Sequence, residues 1–431
     1  MSTLTDTSAT AAGDLGSPEK VVLLSWKPTI AFGVFTVIGF VLFVLLRRAE
    51  DTSTFRLASA NDFIALPELA LPTFATGIVA IVLLAGLTVF NAIRVVGKKK
   101  TSLWIAVAFA AVFMVAFLAW ASAGASILIP GLLIGTVTLS VPLVFGALSG
   151  VLSERVGVVN IAIEGQLLAG AFSSALVASV THNLFLGLLA AAVAGVLVSF
   201  VLAAFAIKYL VDQVIVGVVL NVLVIGLTSF LYTQVLSADA AVLNTPERFE
   251  KILIPVLGNI PLIGPMLFNQ TIIVYAMYVA VAAVYFGLFH TKWGLRLRAV
   301  GEHPTTADTV GIKVNRTRFW NVSLAGAIAG FGGAFLTLGL VGAFNKEMTQ
   351  GAGFIALAAV IFGRWDPIRA TLAALLFGFA TNLQHVLGSI GSPVPSEFLL
   401  MLPYLVTIFA VAGLVGRVRG PAASGKPYIK S

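Results

Sequence analysis

Cysteine is absent from the sequence, which excludes disulfides, thiolate metal sites, iron–sulfur ligation and a cysteine nucleophile. Charge is scarce as well: Asp, Glu, Lys and Arg make up 10% of the residues, against 59% that are hydrophobic. Soluble domains carry roughly 25% charged residues, so water is not the main solvent of this chain. The histidines, His182, His290, His303 and His385, are scattered without metal-ligand spacing, and no bound metal is expected. A complete G-x-x-x-x-G-K-[ST] phosphate loop is missing too, because neither Gly97-Lys98 nor Gly425-Lys426 is followed by Ser or Thr. ATP hydrolysis by that route is excluded, no catalytic constellation stands out, and no cofactor is expected on this chain.

Long apolar runs are what the sequence has in abundance. Its mean hydropathy is +1.04, and stretches near the roughly 20 residues that cross a bilayer recur along all 431 positions. They cover residues 28–46, 72–93, 103–121, 127–148, 161–179, 184–207, 214–232, 271–289, 319–340, 370–387 and 399–415. The apolar run 353–362 is too short to span and reads as a half-helix buried in protein. The expected fold is all-α, a polytopic transmembrane bundle of about 10–12 helices.

The net charge of +8 has a membrane explanation and calls for no nucleic-acid partner, because Lys and Arg concentrate on the cytoplasmic side of polytopic proteins. With both termini cytoplasmic, Arg47, Arg48, Arg56, Arg248, Lys251 and Lys346 are the residues outside; the rest of the 26 basic residues lie inside. Residues 1–27 then form a disordered cytoplasmic tail, and 419–431 lie on the cytoplasmic side as the C-terminal tail. Two connections stand out. The external segment 236–270 carries Pro246, Pro255, Pro261 and Pro265 and suits a cap over the outer mouth. The internal segment 291–318 is the largest cytoplasmic loop and the natural place for a partner to dock.

Ionisable residues inside the apolar runs are few, and Glu164 is the main exception. Asn160 lies four positions before it, a spacing that would place both on one helix face. Asn160 could equally cap that helix, with Glu164 meeting a neighbouring helix or a positive helix end. Asn221, Gln213, Asn382 and Gln384 are further polar groups in or beside apolar runs, where each must find a neighbour, a water or a substrate. Small-xxx-small spacings at Gly326, Gly330, Gly332, Gly333, Gly165 and Gly170 point to helices packed backbone to backbone.

The run Ser153-Glu154-Arg155-Val156-Gly157-Val158-Val159-Asn160-Ile161-Ala162-Ile163-Glu164-Gly165 resembles the E-R-x-G-V-x-N-I-x-x-E-G signature of permeases in the branched-chain amino acid, ribose and nucleoside group of ABC importers. Three further stretches look like the same family, in its order: Asp212-Gln213-Val214-Ile215 with Leu220-Asn221; Gly301-Glu302-His303-Pro304 through Ala307-Asp308 to Gly311-Ile312; and Gly353-Phe354-Ile355-Ala356-Leu357-Ala358 to Gly363-Arg364-Trp365. The resemblance covers a core at 126–418 and is nearest to nucleoside or simple-sugar permeases. It leaves 28–125 as an N-terminal transmembrane extension without a counterpart.

The resemblance implies a type II-like importer permease in the plasma membrane, in contact with lipid, importing nucleosides or simple sugars. It implies cytoplasmic ABC ATPase subunits that bind the ATP, a second permease subunit, identical or paralogous, and an extracellular substrate-binding protein. It places the ATPase-coupling helix at Gly301, Glu302, His303, Pro304, Ala307, Asp308 and Gly311. Pro304 suits a first helical turn and Gly311 a stop. Glu302 and Asp308 offer pairs for basic ATPase residues, and Ala307 offers close approach. Asn160, Glu164, Asn221 and Asn382 are the candidates for the substrate path. An ion-gradient-driven secondary carrier, the alternative plan for such a bundle, would need coupling-ion ligands, and only Glu164 is at hand.

Overall fold

The computed structural model describes residues 26–46, 52–58, 66–392, 394–395, 397–398, 401 and 420–430. The expected span 399–415 lies outside the described residues apart from Met401, as does the tail up to residue 25.

Among the described residues ten helices are long and apolar enough to cross a membrane. In hydrocarbon the backbone must bond within its own segment, so each apolar run closes on itself as a helix. The chain divides into two compact units, one of residues 1–47 and 75–117, the other of 48–74 and 118–431. The 28–125 extension is therefore not one body in the structure. Its middle belongs with the larger unit, because the strands there pair with a strand just ahead of the core.

The smaller unit holds α1 (Lys27–Leu45), most of α2 (Thr73–Val96) and α3 (Leu103–Ala121). Phe32, Leu84, Ile105 and Phe109 form its core, with the Phe32 and Phe109 rings stacked at 4.5 Å. Asn91 donates to the Thr29 hydroxyl at 2.8 Å.

In the larger unit, β1 (Thr52–Arg56) pairs antiparallel with β2 (Leu69–Pro72) and parallel with β3 (Ser126–Leu128), with Thr54 opposite both Ala70 and Ser126. The helices that follow are α4 (Ile129–Arg155), α5 (Ile163–Thr181), α6 (Leu184–Lys208) and α7 (Gln213–Leu236). The connection expected to be external then folds as α8 (Ala240–Leu243), a hairpin of β4 (Lys251–Leu253) with β5 (Asn269–Thr271), and α9 (Ile263–Leu267) between those strands. After α10 (Ile272–His290) the expected cytoplasmic loop turns out to be two helices, α11 (Lys292–Glu302) and α12 (Pro304–Thr309). The Thr291 hydroxyl starts α11 by accepting from the Gly294 amide, and Pro304 starts α12. A side-chain cap starts α11, which buries Gly294, Leu297, Val300 and Gly301 at helical spacing, whereas α12 has no side-chain cap and starts on a proline whose fixed φ suits a first turn.

The chain ends its described bundle with α13 (Val314–Val341), α14 (Ala352–Phe362) and α15 (Pro367–Ser389). With 11 residues, α14 is about 16 Å long, half of a bilayer core near 30 Å. The glycine spacing of α13 has the expected consequence. A Cβ on Gly330 would strike the backbone of α6 at Ala191, and one on Gly170 of α5 would strike Gly330 itself. At these two positions only glycine allows the backbones to meet.

Candidate translocation core and coupling face

The site begins where α4 stops. The chain turns between Arg155 and Ile163, with Gly157 at φ +93° and the Ser153 hydroxyl donating to the Val158 carbonyl at 2.8 Å. Asn160 sits in this break and not on α5, whose first residue is Ile163, and it does not cap α5. The shared helix face expected of Asn160 and Glu164 is thus absent, because the left-handed turn at Gly157 delays the helix by three residues beyond Asn160. Instead, Asn160 and Gln166 exchange two hydrogen bonds of 3.1 and 3.2 Å. Asn160 also donates to Ser149 of α4 at 3.2 Å, and Gln166 to Ser199 of α6 at 3.0 Å. All four side chains are fully buried, so the network closes on itself as a buried polar knot joining α4, the break, α5 and α6.

Asn221 of α7 serves the same break. Its side-chain oxygen accepts from the Gly165 amide at 2.8 Å and its NH2 donates to the Ile161 carbonyl at 2.8 Å. It thereby satisfies one of the four amides that any helix start leaves unpaired. Gln213 accepts from the Val159 amide at 2.7 Å. Glu164, 4% exposed, reaches the other way. One carboxylate oxygen accepts from the Thr349 hydroxyl at 2.6 Å and the Gly351 amide at 2.9 Å, the other from the Gly353 amide at 2.6 Å. Its charge therefore lies on the positive N-terminal end of α14. A Cβ on Gly353 would land on the Glu164 backbone, so glycine is what lets α14 begin there.

The structure brings Asn160, Glu164 and Asn221 together around the α4–α5 break and leaves Asn382 apart. Asn382 of α15 donates to the Leu132 carbonyl at 2.7 Å, near the start of α4 and about 35 Å of helix from the break. Gln166 and Ser149 escaped the sequence reading. Gln166 lies two residues past Glu164, and a polar amide so close to a buried acid was the available signal.

A second cluster ties the break to the turn after α14. Arg364 and Trp365 both adopt left-handed φ, +55° and +54°, a costly geometry for side chains of this size. The Trp365 indole donates to Glu154 at 2.5 Å, and the Arg155 Nε donates to the Trp365 carbonyl at 2.9 Å. The two ends of α14 are thus tied to separate points around the break: the turn after it to the end of α4 through Trp365, and its start to α5 through Glu164.

At the same end of the bundle lie α11 and α12, the segment in which the resemblance places the ATPase-coupling helix. Gly301 is buried, and a Cβ there would strike the Arg155 carbonyl, so α11 rests directly on the end of α4. Ala307 is 3% exposed and belongs to the main core. Its small size serves packing within the chain and offers no close approach to a partner. The outward face of α12 is made by Glu302, His303, Thr305, Thr306, Thr309 and Val310, and Gly311 leaves the helix at φ +85°. The two acidic groups are engaged internally. Glu302 accepts from the Ala422 amide at 3.2 Å. Asp308 lies beside the Tyr428 phenol, whose pKa is raised by burial first and by Asp308 second. No group of three His, Cys, Asp or Glu among the described residues is placed to hold a metal.

Residues 132–411 match the family model described as the branched-chain amino acid transport system permease component. The guanosine ABC transporter permease protein NupQ of Bacillus subtilis is 42% identical over 71% of this chain and 97% of its own length. The nucleoside ABC transporter permease protein NupC of Lactococcus lactis is 41% identical over 68% of this chain and 94% of its own. A second nucleoside permease protein of that organism, NupB, is 25% identical over 65% of this chain and 79% of its own. No solved structure matches. The family match and the ten candidate spans make this a multi-pass membrane protein and a transport subunit, not an enzyme. The chain belongs to the branched-chain amino acid transport system permease family and is the permease subunit of an ABC importer.

Proposed function

We propose that this permease imports nucleosides, with simple sugars as the next substrate class, and that ATP hydrolysis is supplied by separate cytoplasmic ATPase subunits docking on the outward face of α12. The observation that carries the substrate is the near full-length match to NupQ and NupC, named for guanosine and nucleosides. NupC and NupB occur in one organism, which supports a paralogous second permease in place of a second copy. An extracellular binding protein delivers the solute. Both termini face the cytoplasm, in keeping with the one-sided Lys and Arg.

In this reading ATP-driven closure of the ATPases pushes α12. Gly301 passes the push to the end of α4, and the break and Trp365 pass it to α14. Glu164, Asn160 and Asn221 hold the helix breaks that border the path, and Asn382 steadies its outer end. The N-terminal end of α14 already holds the Glu164 carboxylate, which suits an uncharged solute better than an anionic one.

The test is uptake of radiolabelled guanosine by cells with and without the gene, with an ionophore that dissipates ion gradients but spares ATP. Gene-dependent uptake that survives the ionophore is expected. Uptake that collapses with the gradient would transfer the chain to ion-coupled carriers, and guanosine exclusion with glucose uptake would move it to sugars.

A further inference from the structure

Residues 420–430 form a short irregular segment that follows the last expected span and, by composition, would pass for a loose tail. Its burial says otherwise: Pro421, Ala423 and Tyr428 are buried while Ala422, Gly425, Lys426, Pro427, Ile429 and Lys430 are exposed. The Tyr428 ring belongs to the main hydrophobic core.

We propose that residues 420–430 are a strap that seats the α11–α12 hairpin, so that the coupling face is completed by the chain's own C-terminal segment. The inference rests on the importer reading only for what the seat is used for.

Four contacts make the seat. The Ala423 amide donates at 2.9 Å to the Gly301 carbonyl, one of the acceptors that the end of α11 leaves free. The Ala422 amide donates to Glu302 at 3.2 Å. The Tyr428 phenol lies beside Asp308 of α12. The guanidinium of Arg318, 1% exposed at the start of α13, donates from Nη1 to the Lys426 carbonyl at 3.1 Å. Among the described residues its Nε and Nη2 have no acceptor. A buried cation is costly unless hydrogen-bonded, and the acceptor that Arg318 does have is on the strap. Loss of the strap therefore strands Arg318 and releases Glu302 and Asp308 together, a penalty that keeps the strap down.

The strap also reaches the moving parts. Gly420 lies against the Trp365 ring and Gly425 against Val159 in the α4–α5 break. It thus touches α11, α12, α13, the break and the turn after α14. A push on α12 moves these elements together when the strap is seated; without it α12 is a six-residue helix, too short to hold itself.

The experiment compares the wild-type transporter, assembled with its partner subunits, with a permease ended after Gly420 and with Tyr428→Phe, which keeps the ring and loses the hydroxyl beside Asp308. Two readouts are taken: hydrogen exchange of the amides of residues 305–309, and ATP-driven uptake per membrane-resident permease. Truncation is expected to raise exchange by about tenfold or more and to lower uptake about tenfold at unchanged membrane level, with Tyr428→Phe intermediate in both. Unchanged exchange and uptake after truncation would overturn the strap. Faster exchange in the truncated chain, when the wild type itself shows no ATP-driven uptake, would support the seat and count against the importer reading. Should the truncated chain fail to reach the membrane, Tyr428→Phe and Ala423→Pro, each removing one contact, carry the same exchange test, and protection equal to wild type in both would overturn the proposal.

Discussion

The helices of the smaller unit have a mean hydropathy of 2.3–2.4, those at the centre of the larger one, α4 and α5, only 2.0 and 1.3, and the two units hold together by different means. In α1 17% of the most apolar window is buried within the protein and in α3 33%, whereas in α4 and α5 the shares are 67% and 72%. Gly33 and Gly86 in the smaller unit face open space, with nothing among the described residues within 4 Å of an added Cβ. Gly170, Gly195, Gly326 and Gly330 in the larger unit face backbone. Helices whose sides meet lipid need only to be apolar. Helices that must cross closely, break and restart need glycine at the contacts and a hydrogen-bond partner for every exposed backbone group.

Substitutions sharpen that contrast. The largest effect is expected from Gly330→Leu, which drives a side chain into the α6 backbone at Ala191. No folded permease should survive detergent extraction, and a monodisperse variant with wild-type Tm would break the comparison. Next comes Glu164→Ala, which leaves the Gly351 and Gly353 amides and the Thr349 hydroxyl buried without their acceptor. At roughly 1–3 kcal/mol for each unsatisfied group, uptake per inserted molecule should be abolished. Glu164→Gln keeps one acceptor oxygen and should retain a measurable part; wild-type uptake in both variants would remove the carboxylate from the mechanism.

Asn221→Ala unpairs the Gly165 amide and the Ile161 carbonyl. The expected loss is about 2–6 kcal/mol, read as a fall in Tm with partial uptake. The smallest effects belong to the smaller unit. Asn91→Ala removes a single interhelical bond to Thr29, worth about 0.6 kcal/mol in membrane helices. Gly86→Ala should be neutral or slightly stabilising, because alanine is the better helix former. A large loss of uptake in either would show that α1–α3 take part in transport and do not merely accompany it.

Much of this was legible in the amino acids. The apolar runs mark the spans, because length and hydropathy suffice to decide that a segment lies in lipid. The half-helix at α14 follows from a run too short to cross, and α12 from Pro304 and Gly311 at its two ends. Three things were not legible. The position of Asn160 outside α5 depends on the left-handed turn at Gly157, which periodicity does not register. Ala307 points into the core although a small residue on a short exposed helix reads equally well as a docking contact. The strap leaves no trace in composition, since its anchors are one tyrosine, a few backbone amides and a buried arginine 108 residues earlier.

By itself, then, the sequence determined the solvent of this protein and the kind of element that meets it: backbone without water bonds within its own segment, so hydropathy alone implies helices and their approximate ends. Only the tertiary structure decided where the polar groups go. Glu164 finds Thr349, Gly351 and Gly353 between 185 and 189 residues away, and many buried donors would have served a carboxylate equally well. Which of them it meets is set by how closely α5 and α14 approach, a property of packed backbones at Gly353 and not of any local run of residues.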